Sequence, residues 1–139
     1  MTNTNKVFGK VTIRVAGTTF EGRQGKLWNL RKAENAGKHV YITLRREPNN
    51  ERDKNAIAVL AHIEDEMKIV AFKIGYVPAN VACWLAKRMD AGLIVRAYAE
   101  DKGAKYVHGN KGQNLGATIK IVYEIAETEK AVATVENTQ

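Results

Sequence analysis

Apolar and polar residues alternate through Val11, Ile13 and Val15, which predicts a first strand ending at Gly17. Residues 18–25 then read as a turn region with one aromatic, Phe20. Leu27, Leu30, Arg31 and Glu34 follow helical spacing, so a helix is expected over 26–36, with Gly37 as its stop. Alternation returns at Val40, Ile42 and Leu44 for a second strand, and Ile57, Val59, Ala61 and Ile63 place one face of a third over 56–63. A polar turn at Glu64, Asp65 and Glu66 leads into a fourth strand over 67–77. Pro78 precedes a helix over 79–91 whose buried side carries Val81, Trp84, Leu85 and Met89, and Gly92 suits the position just past its end. A fifth strand is expected over 93–100 and a sixth at Ile119, Ile121 and Tyr123. Between them, residues 101–116, with Gly103, Gly109, Gly112 and Gly116, read as a mobile loop.

Short alternating strands with two small helices predict a mainly β fold, a modified OB-fold or SH3-like β-barrel. A parallel α/β sheet is disfavoured, because the loops joining strands two to four are too short for crossover helices. The expected organisation is a flexible N-terminus over 1–8, one β-barrel domain over 9–125, and an acidic disordered tail over 126–139.

Charge sharpens this picture. The chain holds 22 Lys and Arg against 15 acids, and the acids concentrate at the end, so residues 1–123 carry 21 basic against 11 acidic groups, or +10. Such a body suits a polyanion, since phosphate neutralisation supplies most non-specific nucleic-acid affinity. The alternative is charge that only keeps the protein in solution. No apolar run approaches the roughly 20 residues of a membrane helix, and the N-terminus lacks a signal-peptide core. Cys83 is the only cysteine; among Val81, Ala82, Trp84 and Leu85 it reads as a buried small hydrophobe in a reducing compartment, with cytoplasm as the default.

The most informative stretch is Leu44-Arg-Arg-Glu-Pro-Asn-Asn-Glu-Arg-Asp-Lys-Asn-Ala-Ile-Ala-Val59, answered by Ile74-Gly-Tyr-Val-Pro78. Asn49, Asn50, Asp53 and Asn55 can each bond their own backbone, and Pro48 restricts Glu47, so the loop should hold a fixed shape between two strands. Together with Gly17-Thr-Thr-Phe-Glu-Gly-Arg-Gln24 and the helix ending Met89-Asp-Ala-Gly92, these residues resemble the HIRAN domain over about residues 9–123. The resemblance implies an OB-like barrel that binds DNA. It is similar to members fused to fork-remodelling helicases, which capture the 3′-hydroxyl end of single-stranded DNA in a small pocket. The chain looks like the free-standing members of bacteria and their phages, having no room for a motor or a RING finger.

Residue by residue, the carry-over is partial. End-binding members place a basic residue and two aromatics after the first strand's glycine; here those places hold Thr19, Phe20 and Glu21. Their asparagine-rich loop supplies an aromatic followed by an aspartate that meets the terminal sugar; here Arg52 replaces the aromatic and Asp53 remains. Tyr76 follows the Ile-Gly pair and would face the same pocket, while the late aromatic is missing, with Ala117 nearest its place. The ligand class is thus implied more firmly than strict 3′-end selectivity.

The residues themselves suit that ligand. Phe20 and Tyr76 could stack on bases, at about 1–3 kcal/mol per base. Asp53 could accept a hydroxyl proton and repel a terminal phosphate. Arg23, Arg45, Arg46, Arg52 and Lys54 would supply a positive track, although Arg45 and Arg46, consecutive on a strand, point to opposite faces. Each has a plainer role open to it: Phe20 as a cap on the core, Tyr76 as packing against Pro78, Asp53 as a bond to its own loop. No cofactor and no zinc site are expected, since His39, His62 and His108 lie in different segments away from Cys83. Glu47, Glu51 and Asp53 could form a magnesium nuclease site, but three acids in one loop are weak grounds. The leading expectation is a non-enzymatic module for single-stranded DNA and its 3′-hydroxyl end in replication or repair. The alternative is a protein-interaction adaptor docking a helicase or nuclease.

Overall fold

The computed structural model describes residues 5–110 and 112–127. The expected tail from residue 128 on, and residues 1–4 of the expected N-terminal segment, lie outside these. The strands form two antiparallel sheets. In the first, β1 (Phe8–Arg14) and β5 (Val95–Tyr98) flank β7 (Gly116–Glu124), which also pairs β6 (Val107–His108). The second is the meander β2 (His39–Arg46), β3 (Ile57–Asp65) and β4 (Lys68–Tyr76). The β1–β7 ladder starts at the pair Phe8–Glu124. With α1 (Arg23–Asn35) and α2 (Ala79–Asp90) the chain has the mainly β, OB-like class its patterning predicts.

Alternation puts Ile57, Val59 and Ala61 of β3, Ile74 of β4, and Ile119 and Ile121 of β7 at full burial, where Leu27 and Leu30 of α1 and Leu85 of α2 meet them. Both helices stop at the glycines expected. Gly37 and Gly92 take φ of 75° and 80°. The next amides, Lys38 N–H and Leu93 N–H, reach back to the carbonyls of Ala33 and Arg88 at 3.0 and 3.1 Å. Each is the 6→1 bond of a left-handed helix end.

Among the described residues the two sheets share one bridge, where Ala16 N–H donates to Tyr76 O at 2.8 Å and Tyr76 N–H to Ala16 O at 2.9 Å. A register shift makes this possible: Leu60 pairs Lys73 but Val59 pairs Gly75, so β4 carries one extra residue and bends. Gly75 is required there. Its φ is 158°, and a Cβ would stand 2.3 Å from Ala16 O.

Three expectations are corrected. The described residues of the stretch 101–116, expected to be a mobile loop, are anchored, because Tyr106, Val107 and Leu115 are buried. The Glu34 carboxylate accepts the Tyr106 and Val107 amides at 2.7 and 3.1 Å, and Gln24 bonds both backbone groups of Leu115. Tyr106 and Val107 bring in β6, a strand the glycine content concealed, and β5 is shorter than predicted. Cys83 is exposed, not buried, since α2 turns Val81, Ala82, Leu85 and Ala86 to the core instead.

Candidate functional site

The loop between β2 and β3 is rigid because it satisfies its own backbone. Asn50 Oδ1 accepts the Arg52 and Asp53 amides at 2.9 and 3.2 Å, and Asp53 Oδ1 accepts the Asn55 amide at 2.8 Å. Among the described residues, Asn50 and Asp53 make the predicted side-chain turns. The base of the loop is closed by Glu47 N–H to Ala56 O at 2.9 Å.

A carboxylate ties this loop to β4. Glu47 pairs with Lys73 Nζ at 2.7 Å and accepts hydrogen bonds from Tyr76 Oη at 2.8 Å and Asn50 Nδ2 at 3.0 Å. Burial by itself would raise its pKa. The bonds from Lys73, Asn50 and Tyr76 and the lysine charge outweigh burial and hold it at about 2. Sequence reasoning weighed Glu47 only as a metal ligand and did not consider Lys73. The signal was the Glu before Pro48 and a lysine three residues ahead of Tyr76.

Beside this lock a cleft of about 610 Å³ opens at the inter-sheet bridge, within the usual size range of small-ligand sites. Its walls come from both sheets and both connecting loops: Ala16, Gly17, Phe20, Glu21 and Arg23 on one side, and residues 50–53, Ala56, Tyr76 and Val77 on the other. Phe20 is 59% exposed, which removes the reading of a core cap. Tyr76 is half-buried, with Lys73 Nζ 4.8 Å and Arg23 Cζ 5.2 Å from its ring centroid, so its π-face already attracts cations. Gly17, at φ of 71°, lets these groups approach; a Cβ there would lie 3.1 Å from the Arg23 guanidinium, with Phe20 and Tyr76 next nearest.

The cleft gathers Phe20, Arg23, Arg52, Asp53 and Tyr76 of the predicted residues. Arg23, expected on an open track, is instead 5% exposed, its guanidinium donating to Gly17 O at 2.8 Å and to Glu21 Oε2 at 3.0 Å. It is part of the wall. Arg46 is also occupied: it makes a two-pronged pair with Asp90 at 2.8 and 3.1 Å and donates to Ala56 O and Lys54 O. This clasps the loop to the end of α2, and Asp90 raises the Arg46 pKa further. Arg45, on the opposite face, lies 3.6 Å from Glu47 and is exposed, as is Lys54. Arg45, Arg46 and Lys54 do not line the cleft. Among the described residues no three His, Cys, Asp or Glu side chains come together as metal ligands, and no helix is long and apolar enough to cross a membrane.

A family model described as the HIRAN domain matches residues 8–124 of the chain. The fold is similar to the crystal structure of the HIRAN domain of human HLTF, with a TM-score of 0.52 and 17% identity over 91% of this chain and 85% of that one. It is also similar to a structural-genomics protein from Lactobacillus plantarum, with a TM-score of 0.54 and 19% identity over 88% of this chain and all of that one. No curated protein sequence matches the chain.

Proposed function

The chain belongs to the HIRAN domain family, whose domains serve generally as nucleic-acid-binding modules, and from that premise we propose that it is a non-enzymatic module for single-stranded DNA whose cleft takes a 3′-hydroxyl end during replication or repair. One observation carries this reading: Phe20, Asp53 and Tyr76, far apart in sequence, line a single cleft, with Asp53 set on the rigid β2–β3 loop. Exposed Phe20 offers a stacking face to a base, and Tyr76 forms the opposite wall. Asp53 commits Oδ1 to the Asn55 amide, and its second oxygen forms no hydrogen bond among the described residues. That oxygen suits a sugar hydroxyl and would repel a terminal phosphate. Arg52, exposed at the mouth, suits the phosphate behind it.

Fluorescence anisotropy with labelled single strands ending in 3′-hydroxyl or 3′-phosphate, at two salt concentrations, tests this. Tighter binding of the hydroxyl end, weakening with salt along a slope of about −0.7 per phosphate neutralised, is the expected result. Equal affinity for both ends removes the end-capture part, and absence of salt-sensitive binding removes the whole reading.

A second reading, the adaptor for a helicase or nuclease, draws on the β3–β4 hairpin. Met67 at its tip is 98% exposed, and Ile69 and Val70 beside it are open to solvent. Loss of partner binding on Met67→Lys and Val70→Lys, with DNA binding intact, would favour it.

A further inference from the structure

Across the first turn of α1 from the cleft lies another of about 640 Å³, lined by Gln24, Trp28, Arg31, Asn110 and Gln113. Trp28 is 50% exposed although α1 has a core side filled by Leu27, Leu30 and Ala33. A large aromatic at the lip of a cavity offers a flat, sequence-tolerant face to a base. The lip is built rather than loose. Gln24 donates to Thr18 O at 3.0 Å and bonds Leu115 N and O at 2.7 and 2.9 Å, and Arg31 donates to Gly109 O at 3.0 Å. These bonds join the helix, the chain entering it and the β6–β7 connection into one frame.

The two cavities are neighbours by construction. Arg23 lines the first and Gln24, the next residue, lines the second. From Arg23 to Trp28 the helix rises roughly 7.5 Å, of the order of one extended nucleotide. The surface between them is open, since a Cβ on Gly22 or Gly25 would meet nothing within 4 Å. It is also basic. Lys26 is half-buried there, and Arg31 lines the second cavity.

Resting on the reading above, we propose that Trp28 and its cleft form a second base-stacking subsite for single-stranded DNA, holding a nucleotide further along the strand whose end occupies the first cleft. The ligand is a stacked base of any sequence, with Lys26 and Arg31 beside its phosphates.

The test uses the full chain with thymidine probes of two lengths, a dinucleotide that fills only the first cleft and an oligomer of about ten nucleotides. The parent should bind the oligomer more tightly than the dinucleotide. In Trp28→Ala that length advantage should shrink by between about fivefold and a hundredfold, and Trp28→Phe, which keeps an aromatic face, should recover most of it. In a Trp84→Phe background, where Trp28 is the remaining tryptophan, the oligomer should quench the fluorescence. An unchanged length advantage in a folded Trp28→Ala variant, or no quenching by bound oligomer, overturns the subsite while leaving the first cleft standing. Failure of the parent to bind either probe overturns both.

Discussion

Replacing Glu47 with Gln probes the lock that holds the site. The carboxylate sits at about 2 in the folded protein against an ordinary 4.5. At about 1.36 kcal/mol per unit, that difference is worth on the order of 3 kcal/mol. The folded pKa lies below the unfolded one, so the unfolded chain binds more protons in this window. The stabilisation is therefore complete above pH 4.5 and is lost as pH falls toward 2. Glu47→Gln keeps the shape and one acceptor oxygen for Tyr76, but leaves Lys73 partly buried without its counter-charge. Lys73 then loses the bond and charge that, with Tyr76, raise its pKa against burial. At neutral pH the variant should lose about 2–3 kcal/mol, which lowers a urea midpoint by about 1 M for a slope near 2 kcal/mol per M. Urea melts followed by circular dichroism at several pH values provide the assay. The parent should lose stability between pH 4.5 and 2 more steeply than the variant. Parallel acid limbs, or equal midpoints at neutral pH, would refute the reasoning.

Other perturbations separate fold from site. Phe20→Ala should weaken single-strand binding by roughly fivefold to a hundredfold, with the thermal melt nearly unmoved because the ring is exposed; anisotropy and a melt decide it together. Asp53→Asn should erase the preference for a 3′-hydroxyl over a 3′-phosphate end, read from paired titrations, while Asn50 still closes the loop. Gly75→Ala forces a Cβ to within 2.3 Å of Ala16 O; it should destabilise by roughly 2–4 kcal/mol, visible as a lower denaturant midpoint, and a neutral result would mean the two sheets are not held at that bridge.

Much of the fold was legible because local pattern and tertiary need agreed. The alternation in β1 to β4, the apolar side of α2 and the glycines after both helices each say one thing. The segment before β7 was misread because its glycines mask the few residues that bury, Tyr106, Val107 and Leu115, and because its anchors, Gln24 and Glu34, lie about eighty residues earlier. Cys83 was misread from its apolar neighbours; helix rotation, not neighbourhood, decides which residues point inward. At the cleft, the polar loop pointed to Asp53 and the Ile-Gly pair to Tyr76, and both residues line it. Which arginines are spoken for is a matter of three-dimensional partners: Asp90 claims Arg46, and Gly17 and Glu21 claim Arg23. Trp28 was not singled out, because the helix was read from Leu27, Leu30, Arg31 and Glu34.

The bridge between Ala16 and Tyr76 has a consequence for how the molecule responds to its ligand. Among the described residues it is the one ladder step shared by the two sheets, and the first cleft lies across it, with one wall from each side. A molecule bound there acts as a suture across the seam. It gains affinity only while both halves stay in register, so by mass action it suppresses every excursion in which they part. The backbone amides of Ala16 and Tyr76, each bonded to the other residue's carbonyl, thus become natural sentinels of occupancy, their hydrogen exchange expected to slow when the cleft is filled.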